Sequence, residues 1–290
     1  AAAKNLAITG TTTISGTDIT LDNTANNFVG AVGITTTGSD VVLVDAGAIV
    51  LGESTVTGTY DVTAGGAVTQ CTVATCGSDT TLTITGATTI DAGTNAVTLA
   101  NASNDFSKTV SGTLGGAVGI TGAAVSIRDT NDLVLGATTT TGNYTVQAGG
   151  GITDSGALTI GTDSATRTAS FTAGDGETII LDHVNASSDP VHDFSGALTF
   201  AASSGNLAGL TVYAVDAIGL AALTLVANGE LLPGNLSLQS GTVTQSGAWV
   251  VPGTTTISAS GSDVTLTEAS NNFGGAVGVT GRNVTLVDAN

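Results

Sequence analysis

The chain has 290 residues and a formal net charge of −18, with 41 glycines, 3 prolines, no methionine and only 10% charged residues, against roughly 25% in ordinary soluble proteins. Its five basic residues, Lys4, Lys108, Arg128, Arg167 and Arg282, cannot neutralise a phosphate backbone, which excludes nucleic acid as a partner. A mean hydropathy of +0.37 is too apolar for a disordered linker, and no apolar run reaches the roughly 18 residues of a membrane span, so no membrane insertion is expected.

The chain opens AAAKNLAITG, without an initiator methionine or a basic-plus-apolar leader, and is expected to be a processed product or a segment of something longer. From Thr11 a long repeat begins. TTTISGTDITLDNTANNFVGAV (11–32) returns as ATTIDAGTNAVTLANASNDF (87–106), as the diverged TASFTAGDGETIILDHVNASSDPVHDF (168–194), and as TTTISASGSDVTLTEASNNFGGAV (254–277). Long repeats of approximately 11–86, 87–161, 162–253 and a partial 254–290 follow, within one continuous domain over 1–290. The first divides again into pieces of about 19 residues, each with two alternating apolar runs around a Gly/Ser/Thr break: TTTI with DITL, AVGI with VVLV, AIVL with YDVT, and AVTQ with TLTI.

One such piece cannot bury its apolar face alone, because two short strands form a marginal hairpin at best. Stacking successive pieces pairs each strand with the coils above and below, about 4.8 Å away, and buries ladders of Val, Ile, Leu and Ala. The fold class expected is all-β: a parallel β-helix (β-solenoid) of about 14–15 coils of about 19 residues. Its hand is expected to be right-handed, as parallel crossovers are. A chain of antiparallel sandwiches is the alternative, and the sub-period of about 19 residues argues against it. No capping sequence is visible at either end, so continuation of the fold, or stacking of one copy on another, is expected.

Few residues stand out as chemistry. Cys71 and Cys76, in TQCTVATCGSD, are spaced for a disulfide that closes a small loop, or for two free thiols; no second pair or histidine nearby supports zinc. Asp45, Asp129, Asp216 and Asp288 fall at equivalent places, in LVDA, IRDT, AVDA and LVDA, and read as corner residues that bond their own backbone rather than as a sparse calcium row. Asn27, Asp105, Asp193 and Asn272 precede Phe28, Phe106, Phe194 and Phe273 and read as turn residues beside a core aromatic. The richest polar cluster lies in the third repeat: Glu177, Asp182, His183, Asp189, His192 and Asp193. Of these Asp182, His183, Asp189, His192 and Asp193 are read as an exposed recognition loop. No catalytic residue, metal or cofactor is assigned. The threonine runs at 11–14, 138–141 and 254–257 are too broken for an ice-binding array.

The pattern TTTI…DVTL…NNFGGAVGVTG…NVTLVDAN, with DLVLGATTTTGNYTVQAGGGITDSGALTI, resembles the repeats of very large bacterial surface exoproteins, the filamentous-haemagglutinin-like, "beta strand repeat" proteins. The resemblance covers nearly the whole chain. It implies a secreted, cell-surface protein that forms an elongated fibre and adheres or scaffolds, with no enzymatic activity. Its partners would be itself, by end-to-end stacking of coils, and a glycan or host surface reached through the third repeat. A polysaccharide-degrading enzyme is the weaker alternative.

Overall fold

A computed structural model of the chain describes residues 4–77, 80–107, 115–162, 166–229 and 232–290. It divides into two units, 1–146 and 147–290. Both are built almost wholly from short strands, and the described strand pairs run parallel. In the first unit one face stacks six levels: Ile19–Leu21, Val41–Asp45, Tyr60–Ala64, Thr88–Asp91, Val118–Gly122 and Leu133–Leu135. In the second the corresponding face stacks Ile152–Asp154, Thr178–Leu181, Gly209–Tyr213, Asn235–Gln239, Thr255–Ala259 and Val277–Gly281. Each unit is a parallel β-solenoid.

The alternation in the sequence sets the register. Leu43, Val62, Ile90 and Ile120 are direct partners on successive levels and all are buried. Leu181, Val212, Leu238 and Ile257 form the matching ladder in the second unit. Each such side chain is worth about 1.5–3 kcal/mol on burial. A one-residue slip would turn the whole ladder outward, so register is strongly specified. In the third repeat buried Phe171 and half-buried Phe200 are direct partners, stacked with ring centroids 5.5 Å apart.

The coils are neither uniform nor as many as the repeat of 19 residues predicts. Val41 pairs with Tyr60, an advance of 19, but Tyr60 pairs with Thr88 and Thr88 with Val118, advances of 28 and 30. In the second unit the advances run from 31 (Thr178 to Gly209) down to 19 (Leu236 to Thr255). Among the described residues this face therefore has six levels in each unit, where 14–15 coils were expected over the chain. The reason is visible at the third and fourth pieces of the first repeat. Ile49–Leu51 and Ser54–Val56 are one strand interrupted at Gly52–Glu53. The next level covers them with two separate strands, Val68–Gln70 and Leu82–Ile84, with residues 71–81 between. Both runs of the fourth piece thus lie on one face, and the level over Tyr60–Ala64 is supplied by Thr88–Asp91 of the next repeat. In the second unit the extra length becomes separate short faces, Ile218–Leu220 under Val243–Gln245, and Leu223–Thr224 under Trp249–Val251.

The interruption explains a glycine. At Gly52–Glu53 the chain bulges toward the level below, and a Cβ on Gly33 would stand 2.7 Å from the Glu53 carbonyl oxygen. Gly119 meets the Ala137 carbonyl oxygen at the same distance. Gly278 is the equivalent residue in AVGVTG, and nothing lies within 4 Å of its Cβ position. Gly33→Ala and Gly119→Ala are therefore expected to cost about 1–3 kcal/mol each through backbone displacement, and Gly278→Ala almost nothing. Denaturation midpoints of the three variants check this; an equal loss at Gly278 would contradict it.

Candidate functional site

Four tripeptides recur at one corner: Asn26-Asn27-Phe28, Asn104-Asp105-Phe106, His192-Asp193-Phe194 and Asn271-Asn272-Phe273. The phenylalanine is buried in each, as expected, and the middle residue is exposed or half-buried. The first residue of each is also buried: Asn26, Asn104, His192 and Asn271. Of these four only His192 was expected to have a role, and that on the surface.

A buried amide must satisfy its donors and acceptor inside the protein. Asn104 does so through Gln70. Gln70 Nε2 donates to Asn104 Oδ1 (2.6 Å) and Asn104 Nδ2 donates back to Gln70 Oε1 (3.0 Å). Asn104 Oδ1 also accepts the Leu82 N–H (3.0 Å), and its Nδ2 reaches the Leu99 carbonyl (3.2 Å). Asn271 repeats the arrangement with Gln245: two reciprocal amide bonds of 2.8 Å each, with the Trp249 N–H donating to its Oδ1 at 2.9 Å. Asn26 likewise accepts the Leu6 N–H (2.9 Å) and donates to the Leu21 carbonyl (3.1 Å). Each such residue ties three stretches of chain at one corner.

The third repeat changes both partners. His192 stands in the asparagine position and Asp154, in ITD, stands where VTQ places Gln70 and Gln245. His192 Nδ1 accepts the Leu158 N–H at 3.0 Å, as the asparagine oxygens accept Leu82 and Trp249. Its Nε2 lies 3.3 Å from Asp154 Oδ2, and both side chains are fully buried. The signal was present in the sequence as two coordinated exchanges, Gln to Asp and Asn to His, at fixed offsets from a phenylalanine.

The reading of His192 as part of an exposed loop is thereby corrected: only Asp182 and Asp189 of that set are exposed, while His183 and Asp193 are half-buried. The insertion itself is a compact hairpin, with Val184 and Pro190 in an antiparallel bridge. Asn185 organises it: its Oδ1 accepts the N–H groups of Ser187 (2.8 Å) and Asp189 (3.0 Å), and Ser188 takes the left-handed conformation at φ 65°. Beside the hairpin lies a cleft of about 350 Å³ whose lining includes Asp189, Pro190, Val215, Ser240, Ser258 and Ser262.

The aspartate row is structural. Asp45 Oδ1 accepts the Gly47 N–H (2.7 Å), the expected corner bond, but its Oδ2 also accepts the Phe28 N–H of another coil at 2.6 Å. Asp129 does the same with Asn131 and Phe106, both at 2.6 Å, and Asp288 accepts from Phe273. Asp216 is not their equivalent. The Val215 N–H bonds the His192 carbonyl as Ala46, Thr130 and Ala289 bond those of Asn26, Asn104 and Asn271. Ala214 therefore holds the aspartate's place. Asp216 stands two residues on, beside Asp193, whose carboxyl is pushed up by burial and then by Asp216.

Burial pushes the Asp129 carboxyl up to about 7, against the pull of the Asn131 and Phe106 N–H groups. A raised carboxyl binds its proton more tightly folded than unfolded. Its contribution to stability is complete below about pH 4 and is lost as pH rises through about 7. Wild type is therefore expected to lose about 3 kcal/mol more than Asp129→Asn between pH 4.5 and 8. Urea unfolding of both proteins at the two pH values measures it; identical slopes would refute it.

Cys71 and Cys76 are joined as a disulfide, with Cα atoms 5.8 Å apart, around the single helical turn Val73–Cys76. The loop stands between two clefts, one of about 390 Å³ beside Gln70, Thr98 and Asn101 and one of about 360 Å³ beside Thr13, Gly33 and Thr55. Among the described residues no three His, Cys, Asp or Glu side chains gather where they could hold a metal, and no helix is long and apolar enough to cross a membrane.

A family described as repeats of unknown function (DUF5649) matches residues 2–35, 38–113, 122–201 and 211–280. The chain belongs to the DUF5649 repeat family. Each of the four DUF5649 matches contains or adjoins one phenylalanine corner: Phe28, Phe106, Phe194 and Phe273 fall within the successive spans. Comparison with curated proteins found no match, and comparison with solved structures found none.

Proposed function

We propose that this DUF5649 chain is a structural or adhesive segment of an extracellular fibre on a bacterial surface, of the filamentous-haemagglutinin-like type. The observation that carries this reading is the use made of the recurring polar residues. The side chains that return from repeat to repeat, Asn26, Asn104 and Asn271 with Asp45 and Asp129, are bonded across coils, where they hold the stack together. A repeat whose polar residues serve stacking is suited to length and mechanical continuity. The bond between Cys71 and Cys76 fits an oxidising compartment, and the net charge of −18 opposes lateral clumping of strand-rich chains. Electron microscopy of the native assembly tests the reading. An elongated particle one coil wide is expected; a compact globule would overturn it.

The hairpin at 184–190 favours a second reading, recognition of a glycan or cell surface through the third repeat. Deleting 186–192 would remove the buried His192 and damage the fold, so the informative variant replaces the exposed residues 185–189 with a Gly-Ser turn. Loss of surface binding with unchanged thermal unfolding is the outcome this reading requires.

A further inference from the structure

The exchange of Gln–Asn for Asp–His puts titratable groups into a corner that is elsewhere built from amides. Neither amide changes charge with pH. The Gln70–Asn104 and Gln245–Asn271 pairs therefore hold the same hydrogen bonds in acid and at neutrality. The Asp154–His192 pair does not have that property. His192 Nδ1 must be free of its proton to accept the Leu158 N–H at 3.0 Å. Asp154 Oδ1 accepts the Asp182 N–H at 2.9 Å, while its Oδ2 faces His192 Nε2 at 3.3 Å without forming a hydrogen bond. A proton added to Nδ1 would set two donors against each other at a fully buried position. A proton added to Asp154 would place a donor where one of its two contacts now lies. We propose that this pair is an acid-sensitive joint: mild acid opens the corner of the third repeat, at Leu158–Ile160 and 192–194, while the Gln–Asn corners stay closed.

The surrounding groups allow this. The strand Leu158–Ile160, against which His192 sits, carries no charge. On the side of Asp154 the next acidic residue is Asp182, which meets it through its backbone N–H and is itself exposed. On the strand of His192 itself stands Asp193, half-buried and paired with Asp216, and its raised carboxyl favours the folded state in acid, the opposite sense. Across the corner lie the Phe194 ring, 5.8 Å from the imidazole between centroids, and the backbone of Ala214. Exposed positions next to the joint, Asp182 and the hairpin 184–190, would move with it. Acid would thus free the one inserted loop of the third repeat without unwinding the rest.

Hydrogen exchange on the whole chain tests the joint, with rates corrected for the intrinsic effect of pH. Three equivalent amides are compared: Leu82, Leu158 and Trp249, which donate to Asn104, His192 and Asn271. Protection at Leu158 is expected to hold from pH 7.5 to about 6.5, the ordinary imidazole value, and to fall by about tenfold per pH unit from there to pH 5, while Leu82 and Trp249 hold theirs. Equal losses at all three, or none at Leu158, would overturn the proposal, and neither result needs a variant. The double variant Asp154→Gln/His192→Asn supplies the second arm: its Leu158 amide should become as insensitive to pH as the other two. A surviving loss of protection in acid in that variant would show that neither Asp154 nor His192 is its source and would defeat the proposal.

Discussion

Asn104→Ala is expected to lower stability by about 3–5 kcal/mol, more than any substitution of an exposed polar residue in the chain. The truncation leaves Leu82 N–H, the Leu99 carbonyl and the inner face of the Gln70 amide without partners in a corner closed to water. Each orphaned group costs about 1–3 kcal/mol, and partial relaxation keeps the sum below simple addition. Asn104→Asp tests the cause, being nearly the same shape. It keeps the acceptor for Leu82 but sets oxygen against Gln70 Oε1 and the Leu99 carbonyl, so it should be about as damaging. Asn27→Ala, exposed at the neighbouring place in the same motif, should change stability by less than about 0.5 kcal/mol. Urea unfolding, with exchange at the Leu82 amide as the local readout, separates these outcomes. A mild Asn104→Ala would mean that water enters the corner and that the amide pair is not what joins the coils.

The fold class was legible because the apolar alternation and its return at fixed offsets have one economical solution, in-register stacking. The coil count was not, because the periodicity reports pieces of sequence rather than turns of backbone. The run AIVLGESTV contains one interrupted strand, and only pairing with Val68–Gln70 and Leu82–Ile84 shows that both runs of the next piece lie on a single face. The corner was half legible. Phe28, Phe106, Phe194 and Phe273 marked it, and Asp45 and Asp129 bond their own corners as expected, but the three buried asparagines Asn26, Asn104 and Asn271 gave no signal beside the outward residue that follows each of them. His192 was misplaced for a related reason. Acidic and imidazole groups clustered in sequence suggest a wet loop, whereas Asp182 and Asp189 face solvent and His192 has turned into the core. Asp216 shows the limit of reading by likeness: AVDA matches LVDA by eye, yet the backbone register shifts by two and gives the place to Ala214.

The buried pair of the third repeat yields the second large effect, and its sign pattern is asymmetric. His192→Ala orphans the Leu158 N–H, leaves Asp154 Oδ2 facing an empty space and removes a fully buried ring, a loss of about 3–5 kcal/mol. Asp154→Ala leaves a neutral imidazole still bonded to Leu158, and the orphaned groups should cost about 1–3 kcal/mol. The double variant Asp154→Gln/His192→Asn restores the pairing that Gln70–Asn104 and Gln245–Asn271 already make in the same chain, and should recover most of the loss. Denaturation of Asp154→Gln, His192→Asn and the double that combines them closes a cycle whose coupling term should be at least about 1 kcal/mol, as for contacting residues. Additive losses would show that the two positions merely fill space. A favourable coupling would show that the corner is a unit with two interchangeable chemical solutions, of which only one answers to pH.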